Sequence, residues 1–135
     1  MANSLYTKGI EALMKGQVDL DTDTIKVTLI DAADYTVDLA AHDFINDVPA
    51  GARVATATLA NTTVTGGAFD ADDVTFSAVT GDQSEALVIW QDTGNEATSV
   101  LIYYGDTHTG LPVTPNGGDI SITWSSGASK IFKIG

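Results

Sequence analysis

The sequence predicts a mainly β fold, an antiparallel β-sandwich or barrel-like domain of about seven or eight strands with one amino-terminal helix packed on it. Three observations point there. Short runs rich in Val, Ile, Thr and aromatic residues recur along the chain, separated by Gly, Asn, Asp and Pro turns. Two of them, Ala86-Leu87-Val88-Ile89-Trp90 and Val100-Leu101-Ile102-Tyr103-Tyr104, flank the polar turn Asp92-Thr93-Gly94-Asn95-Glu96 and read as a hairpin. That hairpin lacks the in/out alternation of a half-exposed sheet, so both its faces need cover, from a second layer or from another subunit. Helical spacing is confined to the first residues, where Tyr6, Ile10, Leu13 and Met14 share one face.

The 135 residues are expected to make one domain, residues 1–18 supplying the helix and 19–135 the strands and loops. Asn3 or Ser4 caps a helix to about Lys15, stopped by Gly16. Gly9 is costly inside a helix by about 1 kcal/mol relative to Ala, and its place beside the apolar stripe predicts a close approach to a neighbour. Ile25, Val27 and Leu29 alternate with Lys26 and Thr28, which predicts a strand over 24–30 with one buried face. Residues 32–48 fit neither period and read as an ordered excursion with a short helical turn over 39–45, closed by Pro49-Ala50-Gly51. A strand of small residues follows over 53–59, then short strands over 62–65 and 74–79 with Gly66-Gly67 as a turn. Beyond the hairpin lies a polar loop over 105–118, an alternating strand over 120–124 and a terminal strand over 131–134.

Composition narrows the function classes. Net charge is −12 and the pI about 4.1. Only Lys8, Lys15, Lys26, Arg53, Lys130 and Lys133 are basic, so residues 54–129 hold no Lys or Arg. Nucleic acid is therefore not an expected partner, because phosphate binding needs a basic footprint. If the two ends fold together, the molecule has one mixed-charge pole and one acidic pole, which would orient it on a partner. Charged residues are 18% of the chain, below the ~25% usual for globular proteins, so Thr, Ser, Asn, Asp and Gly must cover much of the surface. No window approaches the ~20 apolar residues of a membrane helix, and the start lacks the basic and apolar blocks of a signal peptide. A chain made without export and without a membrane partner is the expectation. With no Cys there is no disulfide, thiol nucleophile or thiolate metal site.

Candidate chemistry is sparse. A Ser or Thr nucleophile needs a His, and His42 and His108 lie in no recognisable motif; both read as surface or turn residues, and no catalytic residue is expected. Asp19-x-Asp21-x-Asp23 opens like a calcium loop, but the sixth and twelfth positions, Gly and Glu in such a loop, are Thr24 and Ile30. Turn capping explains this run and Asp70-Ala71-Asp72-Asp73 more simply, so neither metal nor cofactor is assigned. Trp90, Trp124, Tyr103 and Tyr104 could stack a sugar, but aromatics within apolar strands are usually core.

Several segments carry a family likeness. They are Met1-Ala2-Asn3-Ser4-Leu5-Tyr6-Thr7-Lys8-Gly9, Asp23-Thr24-Ile25-Lys26-Val27, Asp43-Phe44, Pro49-Ala50-Gly51-Ala52-Arg53-Val54-Ala55, Asp72-Asp73-Val74-Thr75-Phe76, Gln91-Asp92-Thr93-Gly94 and Gly110-Leu111-Pro112-Val113-Thr114-Pro115-Asn116-Gly117-Gly118-Asp119-Ile120. Over nearly its full length the chain resembles small virion structural proteins of tailed bacteriophages, of the head decoration, or cement, type. The resemblance implies a non-enzymatic protein made in the host cytoplasm and bound to the outer capsid surface of the virion. Its partners would be the major capsid protein and itself, as a homotrimer. The basic-bearing ends (Lys8, Lys15, Arg53, Lys130 and Lys133) would be the interface to the shell, and parts of the apolar strands the interface to sister subunits. A tail or fibre component, or a host-glycan-binding adhesion module, is the alternative.

Overall fold

The central hairpin is the middle of a five-stranded antiparallel sheet. In the computed structural model, which describes residues 3–134, this sheet joins β1 (Ser4–Leu5), β2 (Ile25–Ile30), β3 (Arg53–Thr58), β7 (Ala86–Gln91) and β8 (Leu101–Gly105) in the order β1-β8-β7-β2-β3. A three-stranded sheet has the order β10-β5-β4, with β4 Thr63–Thr65, β5 Ala68–Asp70 and β10 Phe132–Lys133. A two-stranded ribbon pairs β6 (Val74–Phe76) with β9 (Ile120–Ile122). The fold is mainly β and sandwich-like, with ten strands among the described residues where eight runs were legible; the two additional ones are β1 and β5.

Alternation along β7 divides its side chains between two cores. Leu87 and Ile89 join Ile25, Val27, Leu29 and Ile102 in a first core, closed by Phe69, Phe76, Ile122 and Phe132 from the smaller sheets and by Trp124 just beyond β9. Ala86, Val88 and Trp90 face the other way, with Ile30, Leu101 and Tyr104, into a second core lidded by Tyr35, Ile45, Val48 and Ala52. The hairpin's two covered faces are thus both covered by its own chain. The same cover corrects the reading of β2 as a strand with one buried face: Thr28 and Ile30 are as buried as Val27 and Leu29. The aperiodic excursion supplies the lid through 3-10 turns at Ile45–Asp47 and Ala50–Ala52, later than the helical turn expected over 39–45.

The helix also starts later than its capping residues suggested. α1 spans Thr7–Met14, while Ser4 and Leu5 pair with Tyr104 and Tyr103 of β8 and Asn3 accepts the backbone N–H groups of Asp106 and Thr107. Sheet pairing and loop capping use these side chains and their backbone before a helix can. Tyr6 is fully buried, but the helical residues that bury are Gly9 and Ala12, and Met14 is 81% exposed. The small pair lets the helix axis sit close on β8. A Cβ on Gly9 would stand 2.5 Å from the Leu101 carbonyl oxygen and 2.9 Å from Ile102 Cα. At that point β8 is bulged, since Ile89 faces Tyr103 and Trp90 faces Leu101, leaving Ile102 as the extra residue.

Candidate functional site

The five basic residues assigned to an interface fall into three groups. Lys8 and Lys15 lie along α1 and line a pocket of about 150 Å³ with Glu11, Gln17, Asp43 and Phe44; Lys8 Nζ is 3.7 Å from the Glu11 carboxylate. Lys133 borders a groove of about 250 Å³ shared by β1 and β10, and Lys130 borders a neighbouring hydroxyl-rich pocket with Asn3, Thr107, Thr109, Thr123 and Ser129. The two chain ends therefore do meet, at Asn3–Leu5 and Ile131–Lys133. Arg53 belongs to neither group. Its guanidinium donates to the carbonyls of Ile45 and Val48 at 2.8–3.1 Å and forks onto the Glu96 carboxylate at 2.8 and 3.1 Å, so its hydrogen-bonding capacity is engaged within the fold. Glu96 is held below the usual carboxylate range by that guanidinium. The sixth basic residue, Lys26, pairs with Asp92 at 2.8 Å and lies 5.9 Å from the centre of the Trp90 ring.

The acidic runs cap turns. Asp23 Oδ2 accepts the Asp19 N–H at 2.8 Å and Asp19 Oδ1 accepts that of Asp21 at 3.3 Å. The carboxyl of Asp21 hydrogen-bonds that of Asp19, which holds Asp19 down and Asp21 up. In the second run Asp72 accepts from Asn61 Nδ2 and Asp73 from the Trp124 N–H. A third carboxylate group went unseen in the sequence: Asp31, Asp34 and Asp82 place oxygens within 4.8 Å of one another. Asp31 and Asp82 are brought together from distant parts of the chain, so no spacing rule finds them. Clusters of this kind are common on surfaces without an ion.

His42 closes the turn over 38–42, with its N–H on the Asp38 carbonyl, whereas His108 is buried and departs from the surface reading. His108 is 8% exposed; its Nε2 lies 2.8 Å from the Tyr103 hydroxyl and its ring meets Trp124 edge-on at 5.1 Å. Burial lowers its pKa. His42, half-buried, takes the Tyr35 hydroxyl on Nδ1 at 2.8 Å, and Tyr35 in turn bonds the hydroxyl of Tyr6 at 2.7 Å. Burial pushes the Tyr35 phenol up to about 12 and that of Tyr6 higher still, so the Tyr6–Tyr35–His42 chain stays protonated at its hydroxyls near neutral pH and acts as hydrogen-bonded filling of the second core; burial likewise raises Tyr103, in the first core. Trp90, Trp124, Tyr103 and Tyr104 are all at most 8% exposed, so they are core rather than a sugar-stacking platform.

One concave surface was not foreseen at all. Leu13, Gly16, Val18, Leu20 and Val64 line an open groove of about 460 Å³ beside β4, with Asp19 and Asp21 on its rim. β4 is the outer strand of its sheet and all three of its residues are exposed. The signal available in the sequence was a lone Val between threonines, which by itself says nothing. No known protein family matches the chain, and no curated protein matches it either.

Proposed function

We propose that this chain is a non-enzymatic structural protein of a tailed-phage virion, a capsid decoration protein that binds the outside of the assembled head. The observation that carries the reading is the resemblance of the segments quoted above, spread over nearly the whole chain. An acidic domain with two covered cores and its two ends side by side is physically suited to such a part. Decoration stabilises a shell by mass action: a protein that binds only the assembled, expanded lattice contributes about 2.7 kcal/mol per site at a hundredfold excess over Kd.

The structure changes how the contacts are drawn. Because β7 and β8 are buried by their own chain on both faces, a homotrimer would have to form through other surfaces than these apolar strands. Of the basic residues, Lys8, Lys15, Lys130 and Lys133 remain candidates for the shell contact, while Arg53 is engaged internally. Cryo-electron microscopy of the particle tests the reading. Density for this chain on the outer capsid surface is the expected result; density on the tail or a fibre overturns it in favour of that alternative. Light scattering of the free protein tests the trimer separately.

A further inference from the structure

The free edge of β4 combines unpaired backbone, an apolar groove and a charged rim. Gly66 and Gly67 both have positive φ, 62° and 78°, the signature of a two-residue hairpin turn between Thr65 and Ala68. In such a hairpin the residues flanking the turn exchange the ladder hydrogen bonds, and the next pair, Val64 and Phe69, does not. The N–H and C=O of Val64 consequently point away from the sheet. Its side chain continues the row Phe132-Phe69-Val64 across the three strands. Phe132 and Phe69 are buried, whereas Val64 is 48% exposed beside Leu13, Val18 and Leu20.

We propose that the β4 edge and its groove form a docking site for an extended, Lys/Arg-bearing segment of a partner protein, which adds a strand outside β4 and places an apolar side chain among Leu13, Val18, Leu20 and Val64. Charge selects this occupant. The rim carries the carboxylates of Asp19 and Asp21, two residues apart, with the Asp21 N–H on Asp19 Oδ1 at 3.3 Å, and a cation beside this pair is favoured by their negative charge. Residues 54–129, which include β4 and β5, hold no Lys or Arg, and the chain as a whole is −12. A second copy at this edge would bring the same charge and the same carboxylates against them. The inference stands apart from the capsid reading, since it identifies the chemistry of a partner segment and not its source.

The test uses the full chain, isotopically labelled, and a synthetic nine-residue peptide alternating Lys and Val. The expected result is amide shift changes confined to Thr63–Thr65 and to the groove residues Leu13 and Val18–Asp21. Replacing Asp19 and Asp21 with Asn should weaken binding by about tenfold. Val64→Pro removes the outward N–H while leaving the inner ladder intact, a place where an edge strand accepts Pro; it should abolish the shifts. Should that variant not fold, Val64→Lys, which keeps the backbone but puts a cation in the groove, serves the same purpose. A Lys-Gly repeat of equal charge binding as tightly would show general attraction only and overturn the proposal, as would shifts elsewhere, a Glu-Val peptide binding equally, or self-association of the free chain through this edge.

Discussion

A methyl group on Gly9 has nowhere to go. The atoms it would meet, at 2.5 and 2.9 Å, belong to the backbone of Leu101 and Ile102, which is fixed by the ladder to β7 and cannot swing aside as a side chain would. Gly9→Ala gains about 1 kcal/mol of helix propensity but forces α1 off β8, an overpacking cost of about 1–3 kcal/mol. Net destabilisation of up to about 2 kcal/mol is expected in urea unfolding; a variant more stable than the parent would show that the helix is not held at this distance. His108 makes the second prediction. A Cβ on Gly105 would meet its Nε2 at 2.7 Å, so the glycine is what lets the ring lie against the strand beneath Tyr103. Burial lowers the ring's pKa below the ordinary 6.5, with the Asp106 carboxylate opposing the shift. The unfolded chain therefore takes up a proton near pH 6.5 that the folded chain refuses. The stability from neutral His108 is complete above that pH and is lost as pH falls through it. Between pH 7.5 and 5.5 the parent's urea midpoint should fall more steeply than that of His108→Gln, which keeps a hydrogen-bonding group near Tyr103 but does not titrate. Parallel slopes would refute a buried, neutral His108.

Arg53 does for the excursion what β-pairing does for the sheets. It stands at the start of β3, holds the carbonyls of Ile45 and Val48, and reaches Glu96 in the turn of the central hairpin, so one side chain ties the lid of the second core to the sheet it covers. The two halves of that tie should differ in worth. Arg53→Ala leaves the Val48 carbonyl without its side-chain donor, and that of Ile45 with the Val48 N–H alone, and should cost about 1–3 kcal/mol. Glu96→Ala removes a 58% exposed ion-pair partner and should cost less than about 1 kcal/mol. Chemical denaturation of the two variants gives both values, and an equal loss would mean that the salt bridge, not the carbonyl clamp, holds the lid. Long-range ties of this sort mark where the sequence stopped being legible. The β7–β8 hairpin was readable because its apolar runs are long and its turn is polar. α1 was misplaced at its start because Asn3 and Ser4, good caps in isolation, are used elsewhere: Asn3 caps the 106–107 loop, and Ser4 with Leu5 pairs with Tyr104 and Tyr103. β5 went unseen because Ala68-Phe69-Asp70 is too short to display a period. The excursion shows no period because its 3-10 turns bury single residues, Ile45, Val48 and Ala52, against one face. The capping roles of the acidic runs were legible, being local; the Asp31, Asp34 and Asp82 cluster and the groove beside Val64 were not, because their members meet only in the folded chain.

The five-stranded sheet has a core on each side, and the two cores are not independent. β2, β7 and β8 contribute alternate residues to both, so unfolding either side strips one face from strands whose other face is still packed. Sharing strands in this way predicts a single cooperative transition, despite the different cover of the two faces: strands β5, β6, β9 and β10 on one, a loop with 3-10 turns on the other. The sequence contains two Trp, and the fold places one in each core, Trp124 in the first and Trp90 in the second. Each indole N–H is satisfied locally, Trp90 by Thr28 Oγ1 at 2.9 Å and Trp124 by the Asp72 carbonyl at 3.0 Å. Trp124→Phe leaves the Asp72 carbonyl without its side-chain donor and should lower stability by about 1–3 kcal/mol, whereas Trp90→Phe leaves Thr28 Oγ1 still bonded to Thr56 Oγ1 and should cost less; neither removes the reporter on the other side. In Trp90→Phe the remaining fluorescence follows the first core, and in Trp124→Phe the second. Within each variant the fluorescence transition in urea should coincide with the far-ultraviolet circular dichroism transition, as two-state unfolding requires. A loop-built lid with few ladder bonds is the side at which local opening would begin. If the second core melts on its own, Trp124→Phe will therefore show fluorescence change at lower urea than loss of β structure, while Trp90→Phe will not. That split would mean that the Arg53 clamp and the Tyr6–Tyr35–His42 network are too weak to couple the lid to the sheet.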